Sequence, residues 1–150
     1  DGWDIAVSTI SGGLTVGLVN SFVSYYGNGL SFWSGKAVYP ENNGFQEGIV
    51  PQKVTLEKGQ LIDRYGATSQ FSDFVGDPNA TIPQRSLSPY TNTSEYTLYQ
   101  VTGDVNALKG PIAPAFKQPG GGIQYKLEVP ISYLINIFIF INLFNIIFWY

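Results

Sequence analysis

The sequence predicts a small, mainly β domain with one or two helices. Turn-forming residues recur along the middle of the 150-residue chain, and the runs between them are short and rich in β-forming residues. Few segments show the period of an amphipathic helix, and the chain has no internal repeat. Strands are expected at Lys53–Glu57, Tyr96–Val101 and Gly122–Val129, with a short strand or strand exit at Leu61–Tyr65.

The positions of Gly, Pro, Asn and Asp predict the turns between these strands. They are Pro40–Gly44, Lys58-Gly59, Gly76–Asn79, Pro89–Thr93, Gly110-Pro111 and Pro119–Gly122. The folded domain is expected over residues 36–135, after a glycine-rich apolar linker segment at 1–35 and before an atypical apolar tail at 136–150. A small-residue packed helix is the other interpretation of the first segment, and its G-x-x-x-G spacing is only a weak membrane signal.

The C-terminal sequence from Ile131 to Tyr150 has three open interpretations. Sixteen of these twenty residues are apolar or aromatic and none is charged, and this length matches a membrane-spanning helix. Three asparagines interrupt the run and no basic residue flanks it, which argues against a simple span. Membrane association, an ordinary core helix and an abnormal reading frame therefore all stay open.

Composition excludes several kinds of chemistry. The chain contains no Cys and no His, so disulfides, thiolate metal sites and His-based triads are absent. The net charge of −3 offers no basic field for nucleic acid, so no nucleic-acid partner is expected. No acidic loop of the EF-hand type is present, and no metal site is predicted. Any chemistry must use carboxylates, amides, hydroxyls, Arg or Lys.

Three segments contain the candidate site residues. Arg64 precedes a glycine turn and can offer its planar fork to a phosphate, although a local ion pair with Asp63 or Glu57 is the alternative. Arg85 lies in a proline-bounded loop, where a solvated surface charge is the alternative. The third segment has three consecutive glycines, Gly120, Gly121 and Gly122, which would let the backbone approach a ligand closely. They lead into a predicted strand that has Gln124 near its start, where its amide could hydrogen-bond a ligand. A plain glycine turn explains the three glycines equally well.

Taken together and in order, these segments resemble the tuberculosis necrotizing toxin family of NAD glycohydrolases, which includes bacterial toxin domains and fungal surface NADases. The resemblance covers residues 36–135, and its longest block is GPIAPAFKQPGGGIQY. The other matching blocks are YPENNGF at Tyr39–Phe45, LEKGQLIDRYG at Leu56–Gly66, RSLSP at Arg85–Pro89 and EYTLYQV at Glu95–Val101.

The resemblance implies an α+β domain, small and mainly β, distantly similar to ADP-ribosylating toxins. It implies an enzyme that cleaves NAD⁺ or NADP⁺ to nicotinamide and ADP-ribose, with these dinucleotides as substrates and no separate cofactor. By matching motifs, Arg64 and Gln124 are the essential residues and Arg85 is expected in the cleft. Phe71 is the nearest equivalent of the family's cleft aromatic, although the glycine that usually precedes it is missing.

Three further departures separate the chain from the family pattern. Ser88 replaces a proline, Thr97 stands where bacterial members often carry a histidine, and the glycine and charges of the terminal helix are lost after Ile135. The resemblance nevertheless predicts a secreted or cell-surface toxin domain, delivered into a target cell in the bacterial case. An immunity protein is the partner expected for such a toxin.

The bond between ribose and cationic nicotinamide breaks to release a neutral leaving group, so a site without His is chemically acceptable. We expect Arg64 and Arg85 to hold the pyrophosphate, and Gln124 to bind the ribose and orient water. Tyr65 or Phe71 is expected to stack on a base. The alternatives are an ADP-ribosyltransferase, for which only Glu128 is placed as the catalytic acid, and a decayed, non-catalytic binding module.

Overall fold

The computed structural model describes residues 40–144. The predicted segment at 1–35 and residues 145–150 of the predicted tail lie outside this range. The chain forms two compact units, each built from separate stretches of sequence. Within residues 40–144, the first comprises 40–49, Thr81–Tyr90 and Pro111–Gly121, and the second comprises Val50–Ala80, Thr91–Gly110 and residues 122–144.

The second unit contains a seven-stranded sheet and one short helix. The strands in chain order are β1 Gln52–Leu56, β2 Leu61–Tyr65, β3 Phe74–Gly76, β4 Tyr96–Val101, β5 Val105–Pro111, β6 Ile123–Leu127 and β7 Phe140–Asn142, and the helix α1 is Ile131–Asn136. Their order across the sheet is β1-β5-β6-β3-β2-β4-β7. The pairs β1–β5, β2–β3, β2–β4, β3–β6 and β4–β7 are antiparallel. The prediction of a small, mainly β domain is confirmed.

Apolar residues alternate along the strands and collect on one face of the sheet. On β6, Tyr125 and Leu127 are buried, while Gln124 and Lys126, which alternate with them, point to the other face. On β4, Tyr99 and Val101 are buried in the same way. These residues pack with Ile131 and Leu134 of α1 into one core, which is completed by Leu56, Ile62, Val75, Val105, Ala107 and Phe140. We call this side of the sheet the core face.

Four strands were predicted at or within two residues of their observed bounds, while three were missed. β3 and β7 have three residues each, which is too short for alternation to show. β5 was missed because a turn was expected at Gly110-Pro111, and this prediction is wrong. Proline is tolerated there because it is the last residue of the strand, and its carbonyl accepts a hydrogen bond from Gln46 N at 3.0 Å.

The described part of the C-terminal tail consists of a helix end followed by an edge strand. After α1, Phe138 adopts a left-handed conformation with φ 62°. The N–H of Ile139 donates to Leu134 O at 2.8 Å and that of Phe138 donates to Ile135 O at 3.0 Å, which is the Schellman pattern. The chain then pairs with β4, and Phe140 is buried. None of the three interpretations of the tail included a strand. Within residues 40–144, no helix is long and apolar enough to cross a membrane.

In the first unit, three separate stretches of chain are joined by backbone hydrogen bonds. A 3₁₀ turn at Asn42–Gly44 leads to Phe45, which is fully buried and forms a bridge with Ile112. A second 3₁₀ turn, Pro83–Arg85, is joined to the glycine segment, because Gly120 N donates to Pro83 O at 3.3 Å. In its described residues, 40–49, 81–90 and 111–121, the unit thus has little regular structure and depends on these hydrogen bonds.

Candidate functional site

A row of residues crosses four neighbouring strands on the face opposite the core. Leu98 on β4 lies opposite Asp63 on β2, Asp63 opposite Gly76 on β3, and Gly76 opposite Gln124 on β6. Side chains directly opposite one another in an antiparallel sheet share a face. We call these four residues the Gln124 row. Because Gly76 has no side chain, nothing in the row separates the side chains of Asp63 and Gln124.

The carboxylate of Asp63 is completely buried within this row. It accepts a hydrogen bond from the Tyr96 hydroxyl at 2.8 Å, and such a bond offsets part of the cost of burying the charge. Tyr96 lies opposite Tyr65, and their ring centroids are 4.7 Å apart with the planes tilted by 47°. Two half-buried aromatic rings therefore lie beside Asp63 on the same face of the sheet as Gln124.

Arg64 leaves the sheet on the opposite face from Gln124. It follows Asp63 in β2, so its side chain shares the core face with Ile62. Its guanidinium extends beyond the start of β3, where it donates to Phe74 O at 3.0 Å, Ala67 O at 3.3 Å and Ser72 Oγ at 3.4 Å. The structure thus brings Arg64 to a loop and does not bring it together with Gln124.

The positive charge of Arg64 has no ion-pair partner among residues 40–144. Its three hydrogen bonds go to two carbonyls and one hydroxyl, all neutral, and its buried Nε has no acceptor. The alternative of an ion pair with Asp63 or Glu57 is therefore wrong: Asp63 points to the other face. Burial lowers the pKa of the Arg64 guanidinium from its usual value, and electrostatic interactions with Tyr99 and Asp73 offset this only in part.

The loop between β2 and β3 contains Phe71, the predicted cleft aromatic. We call residues Gly66–Asp73 the β2–β3 loop. The Phe71 side chain is 76% exposed, and its backbone N–H donates to Ser69 Oγ at 3.1 Å. Ser69 N in turn donates to Ser72 Oγ at 2.9 Å. Phe71 is therefore presented to solvent by a loop whose turn is held by two serines.

Arg85 belongs to the first unit. It ends the 3₁₀ turn Pro83–Arg85 and is only 7% exposed, so it is not the solvated surface charge that was the alternative interpretation. The next residue, Ser86, is buried in a left-handed conformation with φ 45°. An arginine this deeply buried must interact with polar groups, since an unpaired buried charge is very costly.

The glycine run has a structural requirement of its own. Gly120 has φ 66°, and a Cβ there would lie 2.6 Å from Ile112 O. The N–H of Gly120 donates to Pro83 O and that of Gly121 to Ile112 O at 2.8 Å. At Gly120 the backbone therefore packs closely against the backbone of Ile112 and Ala113 in the same protein, and this packing requires glycine. Gly122 is buried and immediately precedes β6.

Two other residues considered in the sequence have clear positions. Thr97, in place of the family histidine, lies opposite Arg64 across the β2–β4 pair. Glu128 lies just beyond β6 and is exposed, so it does not continue the strand face of Gln124 as expected. The carboxylate that is buried on the same face as Gln124 belongs to Asp63 and not to Glu128. Among residues 40–144, no group of three or more acidic side chains could hold a metal ion.

Sequence reasoning missed Tyr96 and Ser72 as neighbours of the candidate residues, and it considered Asp63 only as an ion-pair partner of Arg64. A signal for Asp63 existed, because it interrupts an otherwise apolar and aromatic run between Ile62 and Tyr65. Its burial depends on pairing with β3 and β4, which no local pattern reports. Ser72 carried no signal of its own, since it is one of many serines in loops.

Comparison with known proteins connects this geometry to a family. A family model described as tuberculosis necrotizing toxin matches residues 55–137. The conidial surface nicotinamide adenine dinucleotide glycohydrolase nadA of Aspergillus fumigatus is 37% identical over 103 residues, which are 61% of this chain and 43% of that protein. The chain therefore spans less than half the length of this curated relative.

The fold also resembles a solved structure. The structure of tuberculosis necrotizing toxin complexed with its immunity factor aligns with a TM-score of 0.54 and 22% sequence identity. The alignment covers 79% of this chain and 70% of the other. At this identity the likeness concerns the fold.

Proposed function

The chain belongs to the tuberculosis necrotizing toxin family, and we propose that it is an NAD(P)⁺ glycohydrolase that releases nicotinamide and ADP-ribose. The observation that carries this proposal is the Gln124 row. In this row Gln124, which the family motif predicts to be essential, lies opposite Gly76 and in line with the buried Asp63. The named activity of the 37% identical fungal relative supports the same reaction.

The chemistry asks little of the protein beyond positioning and electrostatics. Nicotinamide departs as a neutral molecule while positive charge develops on the ribose ring. We assign Gln124 to hydrogen-bond the ribose and to orient the attacking water, which supplies the hydroxyl of ADP-ribose and releases a proton to solvent. A side chain on a strand is well suited to this, because its backbone is held by pairing on both sides. The gap at Gly76 is where we place the ribose.

The remaining site residues are proposed to bind the rest of the dinucleotide. We assign Arg85 to the diphosphate, since a bidentate arginine recognises phosphate well. Tyr65 and Phe71 are proposed to stack on the bases. Arg64 is proposed to be essential, as the family motif implies. The glycines 120–122 are proposed to shape the approach to Gln124.

The proposal also covers the location of the protein, its partner, its structural relatives and its flanking segments. The name of the fungal relative supports a surface or secreted location, and the solved toxin structure supports an immunity-type protein as a partner. We also propose a distant similarity to ADP-ribosylating toxins, as the family resemblance implies. The segment at 1–35 is proposed to flank the catalytic domain, whereas the segment that begins at 136 contributes β7 to the sheet of that domain.

The first experiment is to incubate the purified chain with NAD⁺ and to separate the products by chromatography. We expect nicotinamide and free ADP-ribose in equal amounts. Gln124→Ala should lower kcat/KM by about a thousandfold, comparable to the loss of one key polar group in other active sites. Gln100→Ala is the matched control, because Gln100 is another half-buried glutamine of the same sheet, on β4. It should change kcat/KM by less than about twofold.

Other outcomes would each correct a different part of the proposal. ADP-ribose found only on an added acceptor protein would indicate a transferase. Hydrolysis that survives Gln124→Ala would keep the activity and overturn the assignment of Gln124. No products from a folded chain would favour the decayed binding module.

A further inference from the structure

We infer that Arg64 and Ser72 form a clamp that sets the conformation of the β2–β3 loop, and that Ser72 is a positioning residue for the reaction. This rests on the proposed function, because the loop presents Phe71, one of the aromatics assigned to the substrate. According to this inference, Arg64 acts by holding the β2–β3 loop in place and does not bind the diphosphate directly.

The first support is where the guanidinium donates its hydrogen bonds. Ala67 and Ser72 lie inside the loop and Phe74 begins the next strand, so the three bonds join both ends of the loop to β2. A guanidinium that donates in these directions has few donors left for a substrate. The fixed fork of arginine, unlike the single ammonium of lysine, can hold several acceptors at once.

The second support is the number of contacts that meet at Ser72. Its hydroxyl accepts from Arg64 at 3.4 Å and from the backbone of Ser69 at 2.9 Å. Its carbonyl accepts from the N–H of Ile131 at 2.8 Å, at the start of α1. Ser72 therefore links the loop turn, the end of β2 and the helix. Without its hydroxyl, the Ser69 N–H and the guanidinium both lose an acceptor.

The third support is the exposure of Phe71 next to this clamp. At 76% exposure, the ring gains little from burial, so packing does little to hold the loop. Polar contacts must then set the loop conformation. The Asp73–Lys126 ion pair at 2.9 Å and the bond from Gly66 N to Glu95 O at 2.8 Å hold the two ends of the loop. Between these ends, the side-chain contacts are those of Arg64, Ser69 and Ser72. Loosening the clamp should let the loop open without unfolding the sheet.

Native-state digestion with chymotrypsin tests the clamp independently of activity. Cleavage after Phe71 is followed by mass spectrometry, with cleavage after the 75% exposed Phe138 as the internal reference. Ser72→Ala should raise the relative cleavage at Phe71 by about fivefold, because digestion follows the population of the open loop. Ser72→Thr keeps the hydroxyl and should restore the parent rate. Ser94→Ala is the matched control in an exposed loop and should also match the parent.

Coupling between the two residues is tested in the same digest. Arg64→Lys keeps the charge and loses the fork, and should itself raise cleavage at Phe71. If the clamp exists, adding Ser72→Ala to Arg64→Lys should change the rate by less than about twofold. Unchanged cleavage in Ser72→Ala, or fully multiplicative effects of the two changes, would overturn the clamp.

Binding of inorganic pyrophosphate distinguishes a role of Arg64 and Ser72 in the loop from direct binding of the diphosphate by Arg64. Pyrophosphate carries the charged groups of the substrate's diphosphate and has no base on which Phe71 could stack. We expect Ser72→Ala to lower kcat/KM for NAD⁺ by about fivefold while the Kd for pyrophosphate, measured by calorimetry, stays within about twofold of the parent. An equal weakening of pyrophosphate binding would overturn the inference. If the parent does not hydrolyse NAD⁺, the proposed function fails, while the digestion still decides whether the clamp exists.

Discussion

Gly120 and Phe138 both turn the chain through the left-handed region, at φ 66° and 62°, yet one is a glycine and the other a large aromatic. The glycine lies in the longest block of the family resemblance, and Phe138 lies just beyond the last residue of the family match. A Cβ at Gly120 would collide with backbone atoms of Ile112 and Ala113, the nearest at 2.6 Å. The Phe138 side chain is instead 75% exposed.

This difference shows that a positive φ does not by itself require glycine. The left-handed conformation costs an ordinary residue about 1–2 kcal/mol, which a fold can tolerate at an exposed helix end. A collision with backbone cannot be relieved by rotating a side chain, so it costs much more. The fold therefore explains why glycine is required at Gly120, whereas for Gln124, four residues later, we propose a role in the reaction.

The largest effect in this comparison is expected for Gly120→Ala. The added Cβ must displace the Ile112–Ala113 backbone, so we expect a loss of about 3 kcal/mol or more in the free energy of unfolding. Urea unfolding followed by circular dichroism measures it. Gly121→Ala is the control for φ alone, because Gly121 has φ 93° and a Cβ there meets nothing within 4 Å. Equal losses in the two variants would contradict the steric argument.

An intermediate effect is expected for Gly66→Ala, at the start of the β2–β3 loop. Gly66 has φ 87°, and a Cβ there would lie 3.0 Å from the side-chain Cγ2 of Thr91. A methyl group can move away, so the cost should be mainly conformational, about 1–2 kcal/mol in urea unfolding. The double variant Gly66→Ala with Thr91→Ser removes the contacting methyl group. If it recovers most of the lost stability, the contact and not φ dominates.

The smallest effect, of opposite sign, is expected for Phe138→Gly. Glycine is favoured at this position of a Schellman motif and relieves the left-handed strain, while its greater freedom in the unfolded chain offsets part of the gain. We expect the chain to become about 0.5 kcal/mol more stable, seen as a higher urea midpoint. Phe138→Ala keeps a Cβ and should not stabilise. A gain of the same size in both variants would instead implicate the exposed ring.

The fold could be predicted where each element carries its own pattern. Tyr96–Val101 was predicted with its observed bounds because β-forming residues fill the whole run between two turns. Phe74–Gly76 could not be found, since three residues forming a strand between two others have no pattern of their own. The strand Phe140–Asn142 could not be predicted for another reason. The apolar sequence around it shows neither a helical nor a strand period, and only its pairing with β4 makes it a strand.

The candidate site was also predictable only in part from the sequence. Motif matching identified Gln124 and Arg64 from residue types and order alone. It could not report that they occupy opposite faces of the sheet, because that depends on a register between β2, β3 and β6. For the same reason Glu128 was proposed as the nearby carboxylate, whereas the pairing of three strands buries Asp63 in line with Gln124.

The amino-acid sequence by itself determined what chemistry is available to this protein, because a chain without His and Cys must work through amides, carboxylates, hydroxyls and arginines. It also determined the family, through short blocks in a fixed order, and the strands whose residues alternate locally. Only the tertiary structure decided that Asp63, Gly76 and Gln124 form one row and that Arg64 is turned toward its own loop. The physical reason is that a strand's side chains alternate between faces, so long-range register decides which residues meet.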